Sequence, residues 1–300
     1  MGAQNFNILI NVKSGTVLNM GAEAVEAAIE ASGIPLAELC MSEPEDMQAN
    51  LERLAERSAP LIIGGGDGTI RETAKYMAGR KNAFGVLPFG TMNLLAADLG
   101  FTSLQGALDA YARGAQAMAV DAGYVNGEIF LCCASIGTMP QASIYREKTR
   151  EQGSMLLIPR MFMFVLENLD RNKSQKVVMD IDGKMHKFRS PAVVISDNRF
   201  ADTDFTENNF KRVSLTGGEL AAYVATTKTR SSHLRFLTRL LLGHWLRDPD
   251  VKEMTGRTIT LWTKRKKELV SIDGEVVKLP TPLEFTLKPQ SINLLVPVPA

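Results

Sequence analysis

Four glycines surround a single carboxylate in the first third of the chain. The run Ile63–Thr69, with Asp67 inside it, follows an apolar segment and precedes a helical pattern. At such a position backbone N–H groups and the helix dipole converge on an anion, and glycine lets the backbone approach phosphate oxygens closely. The run therefore predicts a phosphate site. The alternative is a tight turn in which Asp67 is the N-cap of a helix that begins near Ile70.

The glycine run differs from the two common phosphate-binding patterns. No Lys-Ser or Lys-Thr pair follows it, so it is not a P-loop. Thr69 stands where the dinucleotide fingerprint needs a third glycine or an alanine. The site would thus be of another kind.

A second group of acids lies late in the chain, at Asp273 and Glu275. Glu275 would point to the same side as Asp273 if the backbone there is extended. Such carboxylates could take a proton from an attacking hydroxyl. However, Asp-Gly is also the preferred pair of a two-residue hairpin turn, and we assign the other copy, Asp182-Gly183, only to a turn.

The elements that carry the glycine run alternate between strand and helix. Strands are predicted over 7–12, 61–63 and 83–87, and helices over 19–32, 44–57, 71–78, 93–99 and 104–113. This alternation favours a parallel sheet covered by helices. We therefore predict an α/β N-terminal domain over residues 1–120, with the predicted phosphate site in its glycine run.

Beyond residue 120 the pattern changes to short alternating runs separated by Asn-Gly, Asp-Gly and Gly-Gly. Strand segments are predicted over 124–133, 177–188, 192–196, 212–226, 258–263 and 269–278, with helices over 145–170 and 231–246. The pattern is typical of hairpins in an antiparallel sheet or β-sandwich, and we expect the sandwich. We expect this C-terminal domain to span 121–290.

Composition excludes several classes of protein. The 34 Lys and Arg nearly balance the 33 Asp and Glu, which argues against nucleic acid as a partner. The three cysteines and three histidines have no zinc-ligand spacing, which indicates a reducing cytoplasm. The first apolar segment lacks the flanks of a signal peptide, and we expect no transmembrane segment.

Four segments, in the same order along the chain, resemble the diacylglycerol kinase catalytic-domain family, which includes sphingosine kinases and is distantly related to NAD kinases. The segments are Asn11–Gly15, Gly65–Thr69, Leu87–Asn93 and Ile272–Glu275. Because Leu87–Asn93 is similar to the Pro-x-Gly-Thr-x-Asn motif of the lipid-kinase branch, it favours that branch over NAD kinases. The resemblance also implies that the last strand, about 291–300, returns to the first domain and that the active site lies between the domains.

The resemblance implies ATP and Mg²⁺ as cofactors and assigns roles to individual residues. The nucleotide site would comprise Asn11, Ser14, Gly15, Gly65, Gly66, Asp67, Gly68, Thr69, Arg71, Gly90, Thr91 and Asn93. The catalytic residues would be Glu275, Asp273 and Asp67, with Asp67 and Asp273 as metal ligands. Asp67 could hold the magnesium or act as base, and we expect Glu275 to accept the proton.

The chain departs from the family pattern at several positions. Val12 replaces a proline, and Arg71-Glu72 replaces Asn-Glu, with Arg71 either a solvated first-turn residue or a phosphate contact. Gly217–Leu220 stands where bacterial members have an Asp-Gly-x-Leu segment that holds a structural magnesium, so that metal site is in doubt. A family threonine is also missing, with Cys40 or Ser42 the nearest substitutes.

Access to a lipid is predicted from three features. A helical stripe and an arginine face resemble an interfacial helix, although a helix packed on the sheet has the same spacing; the residues are Leu234, Leu237, Leu241 and Trp245, with Arg235, Arg239 and Arg247. Met155–Leu166 could line an acyl site or fill a core. Lys264–Lys267 could meet anionic lipid or form a solvated turn.

Taken together, the sequence predicts an ATP-dependent lipid kinase of phospholipid biosynthesis, with diacylglycerol or a similar lipid as acceptor. It would work in the cytoplasm, peripheral to the inner face of the membrane. An NAD kinase-like enzyme and a nucleotide-binding regulator without activity are the alternatives. The sequence leaves the acceptor lipid and the oligomeric state open, a homodimer included.

Overall fold

The structure is a computed structural model that describes residues 5–149, 174–202 and 210–298. Its contacts divide the chain into two compact units. The first comprises Met1–Val120 and Pro289–Ala300, and the second comprises Asp121–Lys288.

A parallel sheet forms the centre of the first unit. Its strands are β1 (Phe6–Asn11), β2 (Leu36–Ser42), β3 (Leu61–Gly65) and β4 (Phe84–Pro88), in the order β2-β1-β3-β4. The end of the last strand, β16 (Leu283–Pro297), pairs parallel with β4, with Leu294 opposite Phe84. Strands β1, β3 and β4 are almost wholly buried, as expected when helices cover both faces of a parallel sheet.

Six helices connect these strands. They are α1 (Gly15–Met20), α2 (Ala22–Ala31), α3 (Met47–Ala55), α4 (Asp67–Met77), α5 (Leu94–Asp98) and α6 (Leu104–Ala112). The helix predicted over 19–32 corresponds to α2, but it begins later than predicted, because Gly21 adopts a φ of 89° and separates α1 from α2. Strand β2 was not predicted; most of its side chains are at least partly exposed, so it lacks the continuous apolar run of a buried strand.

Tyr111 closes the join between β4 and β16. Its hydroxyl accepts the N–H of Val86 at 3.0 Å and donates to the carbonyl of Leu295 at 3.3 Å. Burial raises the pKa of this phenol, so it stays neutral and can donate. A side chain at Gly85 would collide with the hydroxyl, at 2.7 Å, which explains the glycine inside β4.

The second unit contains antiparallel strands in two layers. One layer has the order β12-β11-β10-β7-β14-β15, and in the other the first part of β16 pairs with β13, followed by β8 and β9, while β5 pairs with β16 and β6. Their bounds are β5 (Ala115–Val125), β6 (Glu128–Phe130), β7 (Cys133–Gly137), β8 (Gln175–Ile181), β9 (Lys184–Ser190), β10 (Ala192–Asp197), β11 (Leu220–Ala225), β12 (Val251–Gly256), β13 (Thr258–Trp262), β14 (Lys267–Ile272) and β15 (Glu275–Pro280).

The core of the second unit lies between these two layers. Ile136 and Val224 from one layer join the same buried cluster as Met179, Ile259 and Phe285 from the other. Antiparallel strands with one buried and one outer face produce this alternation. The predicted fold class, a parallel α/β domain followed by an antiparallel β-sandwich, is confirmed.

In the described parts of the second unit, two α-helices accompany the sandwich strands. The first is α7 (Thr138–Thr149), which covers only the start of the helix predicted over 145–170, and the rest of that prediction lies outside the described residues. The second is α8 (Arg230–Leu241), which precedes a short 3-10 helix, Trp245–Arg247. The predicted lining segment Met155–Leu166 also lies outside the described residues.

Candidate active site

The first loop of the candidate site follows β1. Asn11 Nδ2 donates to Thr69 Oγ1 at 3.2 Å, which ties this loop to the glycine run. Ser14 is 4% exposed, and its hydroxyl has no hydrogen-bond partner within the described chain. A buried hydroxyl without a partner is costly, so a bound ligand could satisfy it. Gly15 follows as the first residue of α1.

The glycines of the second and third loops are required by close packing, against the Thr69 side chain at Gly65 and against backbone at Gly90. A Cβ on Gly65 would lie 2.5 Å from the Cβ of Thr69. A Cβ on Gly90 would lie 2.9 Å from the Cα of Gly66. Since real Cβ contacts are almost never so short, the loops after β3 and β4 pass each other with no room for side chains.

The carboxylate of Asp67 connects these same two loops. Asp67 is the first residue of α4, whose N-cap is Gly66, so its interpretation as the N-cap of a helix near Ile70 is wrong. Its Oδ1 accepts the N–H of Leu94 at 2.8 Å, and its Oδ2 accepts that of Asn93 at 3.1 Å. The carboxylate therefore binds the N-terminal end of α5.

Asn93 closes the third loop on itself. Its backbone is left-handed, with a φ of 50°. Its Oδ1 accepts the N–H of Gly90 at 2.6 Å, and its Nδ2 donates to the Gly90 carbonyl at 3.0 Å. Thr91, between them, is exposed, so its hydroxyl is accessible to a ligand.

Arg71 differs from its predicted exposure. It is 7% exposed, so the interpretation as a solvated first-turn residue is wrong. Its guanidinium lies 3.5 Å from the Glu72 carboxylate. A role in contacting phosphate stays a prediction.

Of the two substitutes for the missing threonine, Ser42 lies beside the site. It is opposite Asn11 in the sheet, and its carbonyl accepts the N–H of Val12 at 3.0 Å. Cys40 is opposite Leu9, further from the strand end. Burial raises the pKa of the Cys40 thiol, which makes it a poor ligand for a cation.

These three loops share one edge of the sheet. They follow β1, β3 and β4, which are adjacent parallel strands, so their carboxyl ends meet. Crevices at this edge are the usual ligand sites of parallel α/β folds. The 11-residue helix α4 begins here, and the first N–H groups of a helix have no partners within it. The arrangement can bind an anion such as a phosphate chain.

The late acids, Asp273 and Glu275, belong to the second unit. Asp273 is 5% exposed, and its carboxylate accepts three successive backbone N–H groups. The distances are 2.7 Å to Leu131, 3.0 Å to Cys132 and 3.0 Å to Cys133. Sequence reasoning missed this partner segment, because hydrogen bonds to backbone N–H groups leave no trace in side-chain types.

Glu275 is exposed at the start of β15. We predicted that Glu275 and Asp273 point to the same side if the backbone is extended. However, Asp273 and Gly274 have positive φ values of 46° and 91°. The backbone here is therefore not extended, and the structure places Asp273 in a buried position and Glu275 in an exposed one. Glu275 is therefore the more accessible of the two carboxylates.

The loop at Gly217 is held by hydrogen bonds within the chain. Gly218 donates its N–H to Asp121 Oδ2 at 2.8 Å, and Asn198 Nδ2 donates to the same oxygen at 3.1 Å. A Cβ on Gly217 would lie 2.6 Å from Asn198 Oδ1. Over the described ranges no three acidic, histidine or cysteine side chains cluster as metal ligands.

Helix α8 packs on the sandwich through part of its predicted stripe. Leu237 and Trp245 are buried, and Trp245 contacts the rings of Phe200 and Tyr223, while Leu234 is exposed. This arrangement favours the packed-helix alternative. No helix in the described ranges is long and apolar enough to cross a bilayer.

The arginines of this region bind carboxylates of the same unit. Arg235 pairs with Asp248 at 3.0 Å and with Asp250, while Arg247 pairs with Asp202. Burial opposes ionisation of Asp248, but the Arg235 hydrogen bonds outweigh it and lower the pKa of Asp248. The positive charges of these arginines are thus largely balanced internally.

Comparisons with known proteins agree with this architecture. Residues 5–125 match the family model described as the diacylglycerol kinase catalytic domain. Residues 158–296 match the model described as the YegS C-terminal NAD kinase beta sandwich-like domain.

Two curated relatives are similar to the chain. An uncharacterized protein of Synechocystis sp. is 26% identical over 84% of this chain and 58% of its own length. The protein of Pseudomonas aeruginosa named "Probable lipid kinase YegS-like" is 39% identical over 39% of this chain and 40% of its own length. The matched region thus spans less than two thirds of either relative.

Among solved structures, a crystal structure from Bacillus anthracis str. Sterne, described as "a putative diacylglycerol kinase", has a TM-score of 0.74 at 19% identity. The alignment covers 99% of this chain and 98% of that one, and at this identity the likeness concerns the fold. Together, the two matched family models place this chain in the diacylglycerol kinase catalytic-domain family.

Proposed function

We propose that the protein transfers the γ-phosphoryl group of ATP to a hydroxyl of diacylglycerol or a similar lipid. The observation that carries this proposal is the set of three linked loops at the carboxyl edge of β1, β3 and β4. Asn11, Asp67 and Asn93 connect the loops by hydrogen bonds, and the N-terminus of α4 lies among them. Family membership supports the same chemistry.

The loop residues fit a nucleotide phosphate chain. A side chain on Gly90 would meet the backbone of Gly66, and one on Gly65 would meet the Thr69 side chain, so peptide N–H groups rather than side chains would meet the phosphate oxygens. The buried Ser14 hydroxyl would gain a partner. The first turn of α4 would add N–H donors and the positive end of its dipole.

Asp67 is the residue that would hold Mg²⁺. Its oxygens accept the N–H groups of Asn93 and Leu94, which hold the carboxylate in a fixed position, and each carboxylate oxygen has two lone pairs. Magnesium at kinase sites is usually bound by one or two carboxylates together with substrate phosphates, so a dedicated cluster of acids is unnecessary. The ion would neutralise charge between phosphates. The hydrogen bonds to α5 favour this positioning role for Asp67 over that of base.

Glu275 is the proposed proton acceptor, because its carboxylate is exposed. Asp273 is enclosed by three N–H donors, which suits a residue that positions the turn before Glu275. Its predicted roles as metal ligand and catalytic residue are therefore not favoured by this geometry. An acceptor hydroxyl within hydrogen-bond reach of Glu275 would lose its proton to that carboxylate during transfer.

The test is incubation of the pure protein with labelled ATP, magnesium and candidate acceptors supplied separately. Diacylglycerol or a similar lipid should yield a labelled lipid phosphate. Label only in NADP from supplied NAD would favour the NAD kinase-like alternative. Nucleotide binding without any labelled product would favour a regulator and would contradict the proposal.

The loop geometry has its own matched pair of variants. Gly90→Ala places a Cβ 2.9 Å from backbone, so it should displace the loop and lower ATP turnover by at least tenfold. Gly106→Ala, in α6, meets only the Ser103 hydroxyl at 3.2 Å and should keep near-normal turnover. Equal turnover in both variants would mean that these loops do not form part of the active site.

A further inference from the structure

A basic and partly apolar surface lies on the outer face of the second unit. We define this basic face by Met185, Lys187 and Arg189 of β9, Lys176 and Val178 of β8, Trp262 of β13, and the turn 264–267. Trp262 is 36% exposed and Met185 is 56% exposed. Large apolar side chains thus reach solvent amid positive charge.

Strand register places these residues on one face. Trp262 is opposite Val178, and Val178 is opposite Lys187. Directly opposed residues in antiparallel strands project to the same side. The next row holds Lys176 opposite Arg189, at the end where the chain leaves Trp262 for the turn.

The turn itself is held in place by Glu268. This carboxylate is 1% exposed and accepts Arg265 Nη1 at 2.9 Å and Thr263 Oγ1 at 3.0 Å. Arg265 is therefore neutralised, while Lys264 and the two lysines that follow Arg265 are exposed. The turn presents its lysines on a fixed backbone.

The charge of this face is not balanced internally. Within the described chain, no carboxylate pairs with the six other basic side chains, which are Lys176, Lys187, Arg189, Lys264, Lys266 and Lys267. Two carboxylates share the face, Asp180 opposite Met185 and Glu284 opposite Thr260. Helix α8 differs, because Arg235, Arg239 and Arg247 all have carboxylate partners.

We propose that the basic face docks on the surface of an anionic lipid bilayer. Lysines and arginines near such a surface are attracted to anionic headgroups, while Trp and Met side chains can enter the interface. A phosphate backbone would need only the cations of this face. A bilayer interface also accommodates the exposed tryptophan that lies among them. The inference rests on the proposed function in one respect only: docking would bring the protein to a lipid substrate in the bilayer.

The test uses the full chain without ATP. Sedimentation with phosphatidylcholine vesicles, with or without phosphatidylglycerol, should show binding only to the anionic vesicles, weakened by salt. The triple variant Lys264→Ala, Lys266→Ala, Lys267→Ala should bind roughly 100-fold more weakly. Trp262→Ala should bind roughly tenfold more weakly.

A matched control changes charge by the same amount elsewhere. Lys81→Ala, Lys228→Ala, Lys252→Ala removes three exposed lysines outside the face and should bind vesicles within about twofold of wild type. A second control, Leu234→Ser with Leu242→Ser, removes exposed apolar side chains at α8. Loss of binding in either control, with binding kept in the triple variant, would overturn the proposal.

Tryptophan fluorescence gives a direct readout of contact. The chain has two tryptophans, and Trp245 is buried, so quenching by brominated lipid should come from Trp262 and vanish in Trp262→Ala. No quenching in wild type would contradict docking through this face. If the triple variant loses binding to single-stranded RNA but not to vesicles, the face is a nucleic-acid surface. If it loses binding to neither, the lysines form a charged edge that prevents strand pairing.

Catalysis separates this proposal from the previous one. With detergent-dispersed diacylglycerol the triple-lysine variant should turn over ATP as wild type does, because no bilayer is needed. Vesicle binding through the basic face without any turnover would refute the kinase and leave the docking surface standing. Turnover without vesicle binding would do the reverse.

Discussion

The two Asp-Gly hairpins of the sandwich have nearly the same backbone and very different surroundings. Asp182 and Gly183 have φ values of 48° and 83°, and Asp273 and Gly274 have 46° and 91°. Each aspartate donates its N–H to a neighbouring strand, at 3.2 Å to Thr258 and at 2.9 Å to Cys133. Both are two-residue turns of the kind that needs positive φ twice.

The carboxylates also have the same kind of partner. Asp182 is exposed and accepts the N–H groups of Arg257 and Thr258, whereas Asp273 is buried and accepts three N–H groups. Anchoring a neighbouring strand is thus common to both copies and indicates no chemistry. What distinguishes the late turn is burial of the anchor and an acid, Glu275, where the early turn has Lys184.

The largest expected effect is a difference in stability between variants of the two aspartates, Asp273 and Asp182. Asp273→Ala would leave three N–H groups without their acceptor, two of them on buried residues, and should lower the free energy of unfolding by about 4 kcal/mol. Asp182→Ala leaves the N–H groups of Arg257 and Thr258 to bind water and should cost about 1 kcal/mol. Urea unfolding of both variants measures the difference.

An isosteric variant sharpens this first comparison. Asp273→Asn keeps one acceptor oxygen and turns an NH₂ group toward a donor. Its free energy of unfolding should therefore lie between that of Asp273→Ala and that of wild type. Equal costs for Asp273→Ala and Asp182→Ala would mean that burial of the anchor is irrelevant.

The second prediction concerns the residue after each turn. Glu275→Gln should lower kcat for lipid phosphorylation by at least about 100-fold, because the amide cannot accept the proton, with little change in stability. Lys184→Ala, at the equivalent position of the early turn, should leave kcat unchanged. Normal turnover in Glu275→Gln would return the role of base to Asp67 or Asp273.

Much of the fold could be predicted because it depends on local periodicity. Buried strands such as β3 and the Asp-Gly turns leave apolar runs and turn residues in the sequence. Strands β2 and β12 were missed, since their faces are mixed and partly exposed. Helix α4 begins at Asp67, earlier than predicted, because packing at the end of β3 outweighs the low helix propensity of Gly68.

The candidate site was predictable in its residue types and less so in their contacts. Spacing indicated the glycine loops, yet the link from Asp67 to the N-terminus of α5 joins residues 27 positions apart and depends on tertiary structure. The burial of Arg71 and Asp273 likewise follows from packing. Access to a lipid was predicted both from α8, where ion pairs neutralise the arginines, and from Lys264–Lys267, which follow the exposed Trp262.

The smallest expected effect is the acid sensitivity of the early turn. The N–H of Arg257, followed by that of Thr258, lowers the pKa of Asp182 below its ordinary value. A group whose pKa is lower in the folded state stabilises the protein above its unfolded pKa, near 3.9, and that contribution disappears as pH falls through the folded pKa.

Asp182→Asn removes this titration while keeping the size of the side chain. The difference in unfolding free energy between wild type and Asp182→Asn should be constant from neutral pH to about pH 5 and should shrink below it. Because Asp182 is exposed, solvent screening should hold the whole change under about 1 kcal/mol. A difference that grew as pH fell would have the opposite sign and would mean that the Arg257 and Thr258 N–H groups do not favour the ionised carboxylate.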